Sequence, residues 1–384
     1  MKILFILEHY HPHTGGVEVL FKNICEGMAK KGHVVEVVTT RLENTKKQET
    51  IDGVKITRIN TPPFMRRYWF TFLAIPYVTK NAGKYDILHT TTYNGAFPAK
   101  VASMASKTPS IITVHEIIGK DWGTLGGLGF FSAKIHQFLE WLIVKLNFDK
   151  YICVSNSTKK NLLEYRVPKD KADVIYNGVS YDIFDGKKYL SEAKDIRREL
   201  ERLSGKKRRF IYLFYGRPGI SKGFEYVLNA VSGISKKIPD PLFVAILGKR
   251  PEKRRRMFEE MIEKHPYKDD ILLIDPVEYK ELPHYLKSAD CIVVPSLTEG
   301  FGYCVAESTA LGVPVVATDT TSIPEVISGK FKMVRPKSSF RIAKAVVDVY
   351  HGRYEKTPLK RFGWDGCVKG YENLYDEMIK CSEK

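Results

Sequence analysis

Apolar residues recur along the chain in short β-branched or aliphatic runs, separated by longer stretches of helical spacing. That alternation is the signature of βαβ units building a parallel sheet. In the first half the runs are KILFIL (2–7), VVEVVTT (34–40), VKITRI (54–59), DILHTT (86–91), SIITVH (110–115) and KYICVS (150–155). A second set comprises RRFIYLFYG (208–216), LFVAILG (242–248), DILLID (270–275), CIVVPS (291–296) and PVVAT (314–318). Between the sets, 186-GKKYLSEAKDIRRELERLSGKKRR-209 is charged and has no strand pattern, so it reads as a linker carrying a polar helix. The expected architecture is α/β, with two doubly wound Rossmann-like domains over residues 1–185 and 208–360 and a linker over 186–207. Open α/β sheets bind ligands beyond the carboxyl ends of their strands, so two such domains facing each other would enclose a cleft.

Composition narrows the function. A chain of 384 residues with 43% hydrophobic positions is longer than one core usually serves, which agrees with two domains. The six cysteines (Cys25, Cys153, Cys291, Cys304, Cys367, Cys381) lie far apart, with no C-x-x-C and no metal-ligand spacing, and read as reduced thiols of a cytoplasmic protein. The N-terminus MKILFILEHYHP has too few apolar residues for a signal peptide, and no apolar run reaches the roughly 18 residues of a membrane span.

The formal charge of +17 calls for an anionic partner: nucleic acid, anionic lipid or a phosphorylated substrate. Interleaved aromatic and basic repeats and recognisable nucleic-acid modules are absent, which argues against the first. Residues 61–120 hold seven Lys/Arg against only Asp86 and Glu116. Within them, 62-PPFMRRYWFTFLAIPYVTK-80 sets Arg66, Arg67 and Trp69 in a dense apolar patch. This is either a surface touching headgroups and acyl chains, with the protein peripheral at the inner face of the cell membrane, or a core helix with two solvated arginines at its edge.

Candidate chemistry lies at the ends of the strands. After the first strand, Gly15 and Gly16 precede an amphipathic helix, where unhindered backbone N–H groups can hold phosphate or can simply shape the turn. Strand 110–115 ends in His115, a polar group where a buried substrate would sit or an ordinary structural histidine. In the second half, 216-GRPGISKG-223 separates Arg217 from Lys222 by a short loop bounded by glycines. Two cations at a strand's carboxyl end make a clamp for a diphosphate, or else a solvated basic turn. The run CIVVPS leads into 299-EGFGYCVAES-308, where Gly300, Phe301 and Gly302 stand ahead of a helix starting near Val305 and can turn backbone amides toward an anion. Glu299 precedes this turn and Glu307 lies about two helical turns into the next element, so the two need not share one task.

Together with 177-NGVSYDIF-184, His115 in TVHE and 312-GVPVVAT-318, the spacings Arg217-x4-Lys222 and Glu299-x7-Glu307 closely resemble the retaining glycosyltransferases of family four, over nearly the whole chain and in the expected order. The resemblance implies a GT-B fold and transfer of a hexosyl group from a nucleotide-diphosphate sugar to a glycan, lipid-linked or small-molecule acceptor. It implies that Arg217 and Lys222 neutralise the diphosphate, the amides of Gly300 to Gly302 assist and hold the sugar, and Glu307 accepts the ribose hydroxyls. It further implies that Gly15 and Gly16 contribute to donor binding, Glu299 approaches the donor sugar, and His115 sits near its O6 or the acceptor. Retention in this family is pictured as front-face attack without a side-chain nucleophile, so Glu299 and His115 are positioning residues. No D-x-D occurs, in keeping with the metal independence the resemblance implies, so no cofactor is expected. It also implies that the amphipathic helix within 361–384 completes the first domain.

Two departures stand out: Arg250 in 248-GKRPEKRRR-256 replaces a glycine common in the family, and the loop 274-IDPVEY-279 leaves UDP, GDP and ADP open as the donor base. Alternative readings are a nucleotide-sugar epimerase or phosphorylase of the same architecture, and a non-catalytic basic protein binding membrane or nucleic acid.

Overall fold

The computed structural model describes residues 1–13, 15–205, 207 and 210–382. Thr14, Lys206, Arg208, Arg209, Glu383 and Lys384, which fall in the expected first domain, linker, second domain and C-terminal helix, lie outside the described residues. The chain divides into two compact units. One comprises Met1–Gly123, Leu128–Gly178 and the chain from Phe362 onward; the other comprises Thr124–Gly127 and Val179–Arg361.

The first unit is built on eight strands: β1 (Lys2–Ile6), β2 (Val34–Thr40), β3 (Gln48–Ile51), β4 (Val54–Ile59), β5 (Ile87–Thr91), β6 (Ser110–Val114), β7 (Lys150–Cys153) and β8 (Ala172–Val174), in the order β3-β4-β2-β1-β5-β6-β7-β8. Only β3 pairs antiparallel, with β4. Helices cover the central strands, so Ile3 through Ile6 are all buried, which is why such strands read as unbroken apolar runs rather than as alternation. The second unit holds seven strands: β9 (Phe210–Gly216), β10 (Pro241–Leu247), β11 (Ile271–Ile274), β12 (Cys291–Val294), β13 (Val315–Thr318), β14 (Lys330–Val334) and β15 (Glu355–Lys356). Their order is β11-β10-β9-β12-β13-β14-β15, and only β15 is antiparallel to its neighbour. The chain thus runs from β9 outward to β11, then returns to the other side of β9 at β12. That reversal leaves the carboxyl ends of β9 and β12 side by side, the place where open sheets of this kind hold ligands.

The segment expected as a linker carries the helix Leu190–Leu203, which is packed within the second unit. Its Ala193 and Leu200 are buried, and Arg197 donates to the Ser288 carbonyl at 3.1 Å and to Asp290 at 2.9 Å. A sequence so rich in charge gives little sign of this docking, because only two residues face inward.

The C-terminal helix, Trp364–Ser382, lies on the first unit. Tyr371 and Tyr375 are fully buried, and the Tyr375 hydroxyl lies 2.6 Å from His89 Nδ1, while His89 Nε2 lies 2.8 Å from Thr113 Oγ1. Burial drives the His89 pKa down to about 3, so the ring stays neutral and links the helix to β5 and β6 through both nitrogens. Glu372 adds pairs to Lys31 at 2.6 Å and His33 at 2.9 Å at the rim. Tyr375→Phe, which leaves a buried imidazole nitrogen without its partner, is expected to destabilise the first unit by about 1–3 kcal/mol. Urea denaturation of variant and wild type checks this; coincident midpoints would show that the hydroxyl contributes nothing.

Candidate active site

In the second unit β9 ends in the turn 216-GRPGISKG-223, and Ile220–Lys222 form a single 3-10 turn. Gly223 has φ +63, and a Cβ there would collide with the Pro295 carbonyl oxygen just beyond β12. Only glycine allows this approach without strain. The contact is closed by the Leu297 N–H, which donates to the Ser221 carbonyl at 2.7 Å. As a result Lys222 Nζ stands 2.6 Å from Glu299 Oε1, with both side chains largely buried. Ser296 Oγ donates to the same carboxylate oxygen at 2.7 Å, the Glu299 N–H donates to Thr321 Oγ1 at 2.8 Å, and Ser322 Oγ donates to the Glu299 carbonyl at 2.9 Å. Glu299 is therefore fixed in backbone and side chain, and it fixes the ammonium.

Arg217 is exposed, and among the described residues its guanidinium has no hydrogen-bond or ion-pair partner. Its loop is fixed from beneath: Arg254 Nε donates to the Pro218 carbonyl at 2.9 Å while its NH2 reaches Glu225 at 3.0 Å, and the Gly248 N–H donates to the Gly216 carbonyl at 2.8 Å. The basic run after Gly248 is thus partly structural. Arg255 is buried against the Leu247 carbonyl and Asp275, whereas Arg250 is exposed.

The helix after the glycine turn runs Tyr303–Ala310, two residues ahead of the expected start, and Gly302 caps it at φ +97. Phe301 is buried in the core, so the turn 300–302 can present main-chain groups only. Glu307, in the second turn, is buried too. Its Oε2 accepts from the Tyr215 hydroxyl and its Oε1 from that of Tyr279, each at 2.8 Å. Burial raises its pKa from 4.5 to about 7, against the opposing effect of the two phenols. The two glutamates that bracket the turn hold separate partners.

In the first unit His115 follows β6 directly. Burial lowers its pKa to about 4 although Glu18 pulls the other way, and its buried Nε2 has no hydrogen-bond partner. Gly15 precedes the helix Gly16–Lys30 in extended backbone, and the Glu18 side chain folds back over it, so that a Cβ at Gly15 would strike the carboxylate. Glu18 Oε1 lies 3.0 Å from His13 Nδ1. The space over Gly15 that the sequence assigns to an anion is thus held in this structure by the Glu18 carboxylate. The structure brings Gly15, Glu18 and His115 to one neighbourhood of the first unit.

Arg66 pairs with Glu43 at 3.3 Å and Arg67 with Glu8 at 3.4 Å. Their helix, Arg66–Leu73, buries Phe70 but leaves Phe64, Met65, Trp69 and Phe72 exposed, with Trp69 edge-on to Phe64 at 6.1 Å. Residues 62–80 carry both features of the sequence reading: Phe70, Ala74 and Val78 are core, as for a helix with arginines at its edge, while Phe64 and Met65 before the helix and Trp69 and Phe72 on it are exposed.

Sequence reasoning missed Ser296, Thr321 and Ser322 around Glu299, the tyrosines on Glu307, Arg254 beneath the Arg217 loop, and Glu18. Tyr215, next to the terminal glycine of β9, and Tyr279, in the loop 274–279, carried a positional hint. The hydroxyls carried none, since single Ser and Thr residues are common in every loop.

These cations, carboxylates and the glycine turn stand at the strand ends of a doubly wound sheet, where folds of this class hold their ligands. Residues 14–182 match the family described as Glycosyltransferase Family 4, and residues 195–361 the one described as Glycosyl transferases group 1. The chain belongs to the retaining glycosyltransferases of family four and is an enzyme that transfers a sugar from a nucleotide-sugar. It is 27% identical to an uncharacterized glycosyltransferase of Methanocaldococcus jannaschii, covering 98% of each chain. It is 23% identical to the D-inositol 3-phosphate glycosyltransferase of Xylanimonas cellulosilytica, covering 96% of this chain and 93% of that one. Among solved structures, HepE of Anabaena in complex with UDP superposes with a TM-score of 0.76 at 16% identity, over 98% of this chain and 100% of that one. Sucrose-phosphate synthase of Thermosynechococcus elongatus does so with 0.77 at 18%, over 99% of each. The fold is GT-B.

The raised Glu307 pKa has a definite sign in stability. Between pH 4.5 and about 7 the folded chain holds a proton that the unfolded chain releases, so the contribution is present in full below 4.5 and is lost as pH rises through 7. Glu307→Gln, which keeps the shape and cannot ionise, is therefore expected to gain melting temperature relative to wild type between pH 5 and pH 8. Differential scanning fluorimetry across that range checks this; curves that run parallel would contradict it.

Proposed function

We propose that the second unit binds the nucleoside diphosphate of a hexose donor between Arg217 and Lys222, with no metal ion, and that the hexosyl group passes to a glycan, lipid-linked or small-molecule acceptor with retention. The observation that carries this reading is the turn after β9, which carries both the fixed ammonium of Lys222 and the exposed guanidinium of Arg217. Charge grows on the departing diphosphate as its bond to the sugar breaks, and cations already fixed in place stabilise that charge without reorganising. Here they take the part a divalent ion plays elsewhere. The main-chain groups of Gly300, Phe301 and Gly302 face the same anion. Glu299, positioned by Ser296 and Thr321, meets the donor sugar's hydroxyls.

Glu307 takes the ribose. A carboxylate accepts about four hydrogen bonds, so Tyr215 can remain while the ribose joins or displaces Tyr279, which is 42% exposed. His115, neutral and with an unpaired Nε2, serves the sugar O6 or the acceptor, and Gly15 and Gly16 line the donor once the Glu18 side chain moves aside. In the reaction the acceptor oxygen bonds to the anomeric carbon on the face the diphosphate leaves, and the hydroxyl proton passes to the departing phosphate oxygen. The UDP complex of the Anabaena neighbour supports a nucleotide donor without choosing among UDP, GDP and ADP here. No helix among the described residues is long and apolar enough to cross a membrane; the apolar patch at 62–80 makes peripheral contact with an anionic membrane surface.

Lys222→Ala is expected to lower kcat by roughly 100-fold or more while weakening donor binding much less, because the charge it meets grows in the transition state. Steady-state kinetics, with release of free diphosphate from a panel of nucleotide sugars and donor Kd by calorimetry, test this. Equal losses in kcat and affinity would reduce Lys222 to a ground-state anchor, and no release from any nucleotide sugar would remove the reading altogether. Replacing Arg66 and Arg67 with serine is expected to weaken binding to anionic vesicles severalfold; unchanged binding would remove the membrane role of 62–80.

A further inference from the structure

The helix Phe130–Val144 in the first unit buries little of its apolar surface. Its two buried residues are Val144 and a carboxylate, Glu140. Glu140, 2% exposed, accepts from the Gly119 N–H at 2.8 Å, the Ile118 N–H at 3.0 Å, the Tyr165 hydroxyl at 2.8 Å and the Trp122 indole N–H at 3.2 Å. One turn earlier, His136 lies against the Trp122 ring at 5.0 Å. The outward stripe is large and apolar: Phe131 is 82% exposed, Phe138 58% and Trp141 45%, with Ile135 and Leu142 alongside. These positions recur at helical spacing and form one continuous face. Rotating the helix to bury that face would strand Glu140 and five donors, these four and the Tyr93 hydroxyl, so the outward orientation is fixed by the buried carboxylate beneath it. A contiguous exposed face of this kind marks an interaction surface.

Charge identifies the partner. Beside the stripe lies an open hollow of about 900 Å³, lined by Lys120, Lys134, Lys145 and Arg166 against Asp121 and Glu164. Lysines flanking a row of aromatic residues suit headgroup phosphates above and acyl chains below, the long stems lying along the apolar surface while the ammonium groups stay in the polar layer. Beneath the surface the loop 93–94 lies between this helix and the helix 66–73: Thr71 Oγ1 donates to the Asn94 carbonyl at 3.2 Å, and the Tyr93 hydroxyl donates to Glu140 at 3.4 Å. A second copy of the chain would bring two basic rims together at a net charge of +17 each, which disfavours self-association through this face.

We infer that the outward stripe of the helix Phe130–Val144 enters the interface of an anionic phospholipid bilayer, with lipid phosphates held in the adjoining basic hollow. This rests on the membrane reading of 62–80 and moves the apolar anchor to a different element.

Co-sedimentation of the full chain with phosphatidylcholine vesicles, with and without phosphatidylglycerol, tests it. Wild type is expected to bind the phosphatidylglycerol vesicles selectively. The triple variant Phe131→Ser, Phe138→Ser, Trp141→Ser should lose roughly tenfold or more in partitioning, and Lys134→Glu with Lys145→Glu should lose the preference for phosphatidylglycerol. Since all five side chains are on the surface, melting temperature and acceptor-free donor hydrolysis should stay as in wild type. If wild type binds no vesicles, this inference and the membrane reading of 62–80 both fall. If the triple variant binds as wild type does while the Arg66, Arg67 variant loses binding, only the helix Phe130–Val144 is excluded. A wild-type dimer that becomes monomeric in the triple variant would assign the face to a second copy and overturn the inference.

Discussion

The close approach of Gly223 to the Pro295 carbonyl is the constraint on which the second unit's chemistry depends. It lets the turn after β9 press against the end of β12, and the ion pair between Lys222 and Glu299 follows from that contact. An ammonium and a carboxylate, both mostly withdrawn from water, each offset the other's desolvation cost, and the Ser296 hydroxyl holds the carboxylate. The pair is therefore a preset charge arrangement. Arg217, by contrast, is left outward on a loop braced by Arg254, so one cation of the turn is fixed by its partner and the other stands in solvent.

The same separation of tasks explains the two glutamates around the glycine turn. Glu299 serves the ammonium and the loop hydroxyls; Glu307, eight residues on and one helix turn deeper, is enclosed by Tyr215 and Tyr279. Burial leaves Glu307 poised near neutrality, so its proton is sensitive to whatever hydroxyl groups replace the phenols. In the first unit, Glu18 lies over the Gly15 turn close to a neutral His115, and the C-terminal helix is fixed through Tyr375 and His89.

Much of this was legible in the chain. The buried parallel strands announced themselves as unbroken apolar runs because helices cover both their faces, and the spacings of Arg217, Lys222, Glu299 and Glu307 pointed to the ends of β9 and β12, where the structure places them. What escaped were elements with weak signals. The strand β3, QETI, lies at an edge and alternates; β8 spans three residues; β14, KFKMV, mixes lysines with apolar positions. Leu190–Leu203 looked like a linker because two buried residues suffice to dock it. The Gly15 turn looked open because nothing in sequence tells that Glu18 will fold back over it. The face of Phe130–Val144 was invisible for a different reason: periodicity reports that a helix has an apolar side, and by default assigns it inward. Here Glu140 reverses that assignment, which only the placement of its five donors reveals.

The most direct measurement is a crystal structure of the protein with an intact nucleotide-sugar bound. The account requires diphosphate oxygens within hydrogen-bonding distance of Lys222 Nζ, Arg217 drawn in from solvent, and the ribose hydroxyls on Glu307. Diphosphate density away from the ends of β9 and β12, or a ribose that leaves Tyr215 and Tyr279 on Glu307 and makes no contact with that carboxylate, would contradict it.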